Sequence, residues 1–148
     1  MGSENKQFAA VKEAARISRS ILVWLNTFPN VPVPLIKYEM LENKVVAMAL
    51  AIESGAYITK RYITGGYRAE YPFRIIYRIV PGDSIDKRLE ADELLNVMGS
   101  WAQASPPNLG SGIRVISVRQ TAPASIAARY TDGDEDHEVS ITITYEVI

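Results

Sequence analysis

Residues Tyr57 to Val80 read YITKRYITGGYRAEYPFRIIYRIV and hold five of the chain's eight tyrosines, Tyr57, Tyr62, Tyr67, Tyr71 and Tyr77. Two runs rich in β-forming residues meet at Gly65-Gly66, the kind of pair that closes a tight hairpin because glycine accepts positive φ. In the second run Phe73, Ile75, Tyr77 and Ile79 alternate with Arg74, Ile76, Arg78 and Val80. That period of two predicts a strand with one apolar face. The expected strands are Tyr57–Ile63 and Tyr71–Val80.

Apolar stripes with helical spacing lie on both sides of this hairpin. Ser3 is placed to cap a helix over Glu4–Asn26, with Phe8, Val11, Ala15, Leu22 and Leu25 on one stripe that Ile21 and Trp24 widen. Pro29, Pro32 and Pro34 end it. A second helix is expected over Ile85–Gln103, capped by Asp83 or Ser84. Its stripe is Ile85, Leu89, Leu95, Met98 and Trp101, with Lys87, Glu90, Asp92 and Glu93 on the solvated side. The two tryptophans read as inter-helix or core packing.

Between the first helix and the hairpin, Ile36, Tyr38 and Met40 alternate with Lys37 and Glu39, which predicts a half-buried strand. Glu42–Lys44 reads as a polar turn. Val45–Ile52 is apolar on both faces, which predicts a central strand whose alanine face (Ala47, Ala49, Ala51) admits a close helix; a short buried helix is the alternative. Ser105–Gly112 is a polar loop rich in proline and glycine. Three strands follow, about Ile113–Gln120, Ser125–Thr131 and His137–Ile148. In the last, Val139, Ile141, Ile143, Tyr145 and Val147 oppose Glu138, Ser140, Thr142, Thr144 and Glu146. The expected whole is one α+β domain spanning residues 1–148. It is a mostly antiparallel sheet with two helices packed on one face, in the order α-β-β-β-β-α-β-β-β.

Composition narrows function mainly by exclusion. There is no cysteine, so disulfides, thiol chemistry and cysteine zinc sites are ruled out. With 16 basic and 17 acidic residues the formal charge is -1, which supplies no overall field for nucleic acid. No apolar run reaches the roughly 18 residues of a membrane span, and MGSENKQ lacks the apolar region of a secretory signal.

No catalytic, cofactor or metal site is expected. His137 is the single histidine and reads as a strand-edge residue, with no GxSxG turn to accompany it. Asp132–Asp136 resembles the start of a calcium loop. His137 then stands where a glycine is needed and Ile143 where a bidentate glutamate is needed, so a hairpin turn is the better reading. Gly65-Gly66 lacks the spacing of a phosphate-binding loop.

What remains is the hairpin. Lys60, Arg61 and Arg68, with Arg74 and Arg78 beyond, interleave with Tyr62, Tyr67 and Tyr71. Tyrosine and arginine together suit protein interfaces; they also suit single-stranded nucleic acid or a plain solvated hairpin. The expected interface is Tyr62, Ile63, Tyr67, Arg68 and Tyr71, rimmed by Lys60 and Arg61. A small-ligand domain with a pocket lined by Tyr38, Tyr77 and Trp101 is the alternative from another class, disfavoured because no acid, base or nucleophile converges there.

Four segments carry a resemblance. They are RYITGGYRAEYPFRIIYRI, SIDKRLEADELLNVMGSW, TAPASIAARYTDGDEDHEVSITITYEV and an N-terminal helix of the ISRSILVWLNTFP type. Together they resemble the minor capsid or tail-terminator (tail-completion) proteins of long-tailed phages and prophages of Gram-positive bacteria. The resemblance implies a structural protein with no enzymatic activity and no cofactor. It implies a homo-oligomeric ring, expected to be a hexamer, on the end of the tail tube. The implied partners are the tail-tube protein and the head connector, with duplex DNA passing non-specifically through the bore. The implied location is the virion neck, reached from the host cytoplasm during assembly. A head-completion or adaptor protein of the same neck is the structural alternative.

Overall fold

The computed structural model describes residues 7–41 and 46–148. The Ser3 cap, the expected helix start at Glu4 and the Glu42–Lys44 turn lie outside the described residues.

Two strands of equal length organise the chain. β5 (Tyr67–Ile79) and β7 (Glu135–Val147) pair antiparallel without a break, from Tyr67 opposite Val147 to Ile79 opposite Glu135. Directly opposed residues share a face. Tyr71, Phe73 and Ile75 therefore stand beside Ile143, Ile141 and Val139, and all six are buried. Burying six such side chains is worth roughly 1.5–3 kcal/mol each before chain entropy is charged against it.

Shorter elements extend this pair on both sides. β3 (Ala47–Ile52) and β4 (Tyr57–Arg61) lie end to end along the free edge of β5, one on residues 73–78 and the other on 67–70. β1 (Gln7–Phe8) adds to β4, and β2 (Lys37–Tyr38) adds to β3 in the parallel sense. β6 (Ile113–Arg129) flanks β7. Among the described residues this makes an α+β fold with a mostly antiparallel sheet of seven strands.

Both helices cover the face that carries Phe73 and Ile141. α1 (Val11–Leu25) contributes Ile17, Ile21, Trp24 and Leu25 to the core, and α2 (Ile85–Ala104) contributes Ala91, Leu95, Met98 and Ala102. Their C-terminal turns meet. Trp24 stacks on Trp101 with ring centroids 5.0 Å apart, and Phe28 packs edge-on against Trp101 at 5.3 Å. Trp24 Nε1 donates to the Ser105 carbonyl at 2.8 Å, which satisfies the indole at the edge of the core. Ser84 caps α2 by accepting from the Lys87 backbone N–H at 3.2 Å.

Several expectations are corrected. Gln7–Phe8 is strand, and α1 begins only at Val11. The alanines of β3 face away from the helices; Met48, Leu50 and Ile52 share the helix-covered face through their pairing with Tyr77, Ile75 and Phe73. Two strands, not three, follow the Pro-Gly loop. β6 runs through Pro123 to Arg129, because an edge strand tolerates a missing N–H and absorbs the irregularity in register shifts. The Ser105–Gly112 loop is not merely a solvated connection, since Leu109 is buried in the core.

The hairpin tip and the core differ in what they do for stability. Phe73→Ala should cost about 3–5 kcal/mol, whereas Ile63→Ala should fall within about 0.5 kcal/mol of the parent. Urea unfolding followed by circular dichroism measures both.

Candidate assembly surface

The two long hairpins close with the same turn. The Tyr62 N–H donates to the Gly66 carbonyl at 2.8 Å and the Gly65 N–H to the Tyr62 carbonyl at 3.1 Å. At the other end of the sheet, the Tyr130 N–H donates to Asp134 at 2.9 Å and the Gly133 N–H to Tyr130 at 3.1 Å. Gly65 and Gly133 hold φ of 100° and 98°, which side chains resist, so glycine is required at both. The acidic Asp132–Asp136 segment is thus a hairpin turn, as its Asp-Gly pair suggests.

The first turn projects Ile63 wholly into solvent, at 107% relative exposure. Lys60, Arg61 and Arg68 are exposed around it. One row of side chains crosses four strands on the face away from the helices: Lys60, Arg68, Glu146 and Arg114 stand side by side in register. Arg68 and Arg114 flank the single carboxylate, and Lys60 directly opposes Arg68, a pairing that stability alone disfavours. Glu146 accepts from the Tyr62 hydroxyl at 2.8 Å and pairs with Arg114. The Tyr62 hydroxyl first, and Arg114 after it, hold the Glu146 carboxyl below its usual range.

Two expected interface residues sit elsewhere. Tyr71 is fully buried, with its hydroxyl 2.7 Å from Ser18 Oγ. It shares strand parity with Phe73 and Ile75 and so points into the core with them. Tyr67 is half-buried by the same parity, and its hydroxyl donates to Glu13, which also accepts from Tyr145 at 3.3 Å. Burial raises Tyr71 to about 12, and burial with the Glu13 bond raises Tyr67 as well. The exposed surface therefore consists of Lys60, Arg61, Ile63 and Arg68, with Tyr62 half-buried beside them. Arg114 belongs to it too and was missed, because it lies 46 residues beyond Arg68 in the chain and only the β6–β7–β5 register brings the two together.

The opposite end of the sheet is a closed network. Arg78 forms a two-pronged pair with Asp136 at 2.7 and 2.9 Å, and Tyr130 donates to the same carboxylate at 2.9 Å. Arg88 bonds Glu135 at 2.8 Å, with Arg129 at 3.3 Å. These hydrogen bonds outweigh the effect of burial and keep Glu135 below its usual range. His137 is not at a strand edge. It is buried beneath α2, its ring nitrogens 2.7 Å from Asp92 and 3.1 Å from Glu135. With both nitrogens facing carboxylates, neither is placed to activate a nucleophile.

Among the described residues, Tyr38 and Tyr77 line different grooves, and Trp101 packs against Trp24 and Phe28. Tyr77 lines a shallow groove with Val46, Val80 and Leu94, whereas Tyr38 lines grooves against α1 with Leu22. Among the described residues, no group of three His, Asp or Glu could hold a metal ion, and no helix is long and apolar enough to cross a membrane. No family model matches the chain, and no curated protein is significantly similar to it.

Alkaline titration should follow the buried hydroxyls. Tyr67, Tyr71 and Tyr145 have raised folded pKa values, so their contribution is complete below about pH 10 and is lost as pH rises further. Phenolate absorbance should therefore appear in two stages, the second coinciding with unfolding. Glu135 and Glu146 act in the opposite direction. Their depressed values contribute above the usual carboxylate range, and that contribution is lost as pH falls below about 4. Glu135→Gln should flatten the acid limb of a stability–pH curve.

Proposed function

We propose that this chain is a tail terminator of a tailed bacteriophage or prophage. It is one protomer of a homo-oligomeric ring, expected to be hexameric, that sits on the end of the tail tube. The ring stops tube growth and offers a surface to the head connector. In this reading the protein is structural and not an enzyme, it uses no cofactor, and it resides in the virion neck after assembly in the host cytoplasm.

The observation that carries the reading is an apolar residue that the fold does not need, Ile63, thrust into solvent on a hydrogen-bonded turn with exposed cations around it. Such a tip suits contact with another protein surface better than chemistry. The sheet behind it supports the same conclusion. Its carboxylates are engaged by arginines and tyrosines, as in Arg74–Glu138 at 2.8 Å and Tyr57–Glu70 at 2.7 Å. Groups held in that way reinforce a wall. The four resembling segments, taken with this geometry, favour the neck of a tail. A bore for duplex DNA is compatible with a chain of near-zero net charge, which passes a polyanion without gripping it.

Polymerisation of the cognate tail-tube protein tests the reading. With the purified chain added, tubes should stop at a defined length, and negative-stain images should show a cap on one end. Tubes that grow to the same lengths with and without it contradict termination. Capture of portal protein in preference to tube protein would move the chain to the adaptor position in the neck.

A further inference from the structure

Among the described residues, the two ends of the sheet expose groups of opposite sign. The end with the Tyr62–Gly66 turn presents Lys60, Arg61, Arg68 and Arg114, all exposed. The acids at that end are occupied: Glu13 accepts from Tyr67 and Tyr145, Glu70 from Tyr57, and Glu146 from Tyr62. At the far end, Asp83, Asp86, Glu90 and Glu93 are exposed, and none is in an ion pair among the described residues. Of the arginines there, Arg78 turns onto Asp136 and Arg88 onto Glu135, while Arg129 is exposed and shares Glu135 at 3.3 Å. Lys87 is exposed among the acids and offsets one of them. The 13 residues of β5 separate the two ends, a span of about 40 Å. A formal charge of -1 therefore conceals a molecule with a basic end and an acidic end.

Each end also carries apolar surface that its own fold leaves bare. At the basic end it is Ile63. At the acidic end it is Ile85 and Leu89, at 70% and 55% exposure. They lie one helical turn apart on the outer face of α2, among Asp86, Glu90 and Glu93, while Ala91, Leu95 and Met98 face the sheet. Acids near a helix N-terminus are favourable in themselves. The macrodipole does not account for two large aliphatic residues exposed among them.

Sheet-edge pairing is poorly suited to join copies. β6 offers a 17-residue outer edge, but Pro123, four register shifts and the exposed Arg114, Arg119 and Arg129 guard it. These are devices by which proteins discourage edge pairing. Side-chain contact between the two ends meets no such obstacle.

We infer that the chain binds a second copy of itself head to tail, with the Ile63 tip and its cations on the Ile85–Leu89 face and its carboxylates. The surfaces differ and lie at opposite ends, so the contact is heterologous and each copy keeps one surface free for another. Such a contact closes into a ring or continues as a filament, depending on the rotation per step. The closed form rests on the ring reading above; the contact itself does not.

Because the chain has no cysteine, engineered pairs report the contact cleanly. Ile63→Cys mixed with Leu89→Cys should give a disulfide-linked dimer under mild oxidation. The double variant should give closed oligomers or a ladder, since the two sites are too far apart to join within one copy. Ile63→Cys mixed with Ile126→Cys serves as the control. Lys60→Glu with Arg61→Glu should weaken self-association at least tenfold by analytical ultracentrifugation at low salt, and Glu90→Lys with Glu93→Lys in the partner should restore it. All four positions are exposed, so folding is spared, and circular dichroism checks it. Crosslinking no greater than the control, self-association indifferent to charge reversal, or a chain monomeric to millimolar concentration overturns the contact. Rings that form with the charge-reversed chain would overturn the contact and leave the terminator reading standing. Filaments crosslinked at Ile63 and Leu89 would keep the contact and remove the ring.

Discussion

Everything else in this fold depends on the unbroken pairing of β5 with β7. Thirteen residues of β5 meet thirteen of β7 with no register shift. A slip of β5 by one residue would turn Phe73 and Ile75 to the polar side and bring Arg74 and Arg78 under the helices. The cost of burying those charges is far larger than any single packing term. The register therefore determines which side the helices cover. It also determines that Lys60, Arg68, Glu146 and Arg114 form one row, and that both turns project from the ends of a rigid slab.

The polar side is held by pairing. Arg74 meets Glu138, Arg78 meets Asp136, and Arg114 meets Glu146, each across neighbouring strands. Exposed pairs of this kind add little stability individually. Arg78–Asp136 is the buried member, and removing one partner would leave an uncompensated charge. The two ends differ in the charge they expose: Lys60, Arg61 and Arg68 on one side, and Asp83, Asp86, Glu90 and Glu93 on the other.

The parts legible in sequence were those written as local periodicity. Alternation from Phe73 to Ile79 and from Val139 to Val147 marked both central strands and their faces, and a cap at Asp83 or Ser84 marked the start of α2, where Ser84 takes the position. The same rule would have placed Tyr71 in the core, since it is in phase with Phe73; the tyrosine-rich turn drew it to the surface. Pro123 reads as a break, yet an edge strand passes through it. The inward face of α2 joins Leu95 and Met98, both readable from their spacing, to Ala91 and Gly99, which are too small to mark a stripe; Ile85 and Leu89, read as part of that stripe, are exposed. His137 depends on Asp92, 45 residues away, and no local pattern records that meeting. The site divides in the same way. Its tip residues are contiguous and readable, whereas Arg114 joins them only through the sheet.

Residue-resolved amide hydrogen exchange on the dilute monomer tests the central claim most directly. Amides of β5 and β7 should be the slowest in the chain and should exchange together, at the rate of global unfolding. Those of β6 should alternate between slow, where they bond β7, and fast, where they face outward. Rapid exchange within Val139–Tyr145, or uniform protection along β6, would contradict the register on which this account of the fold and its two ends is built.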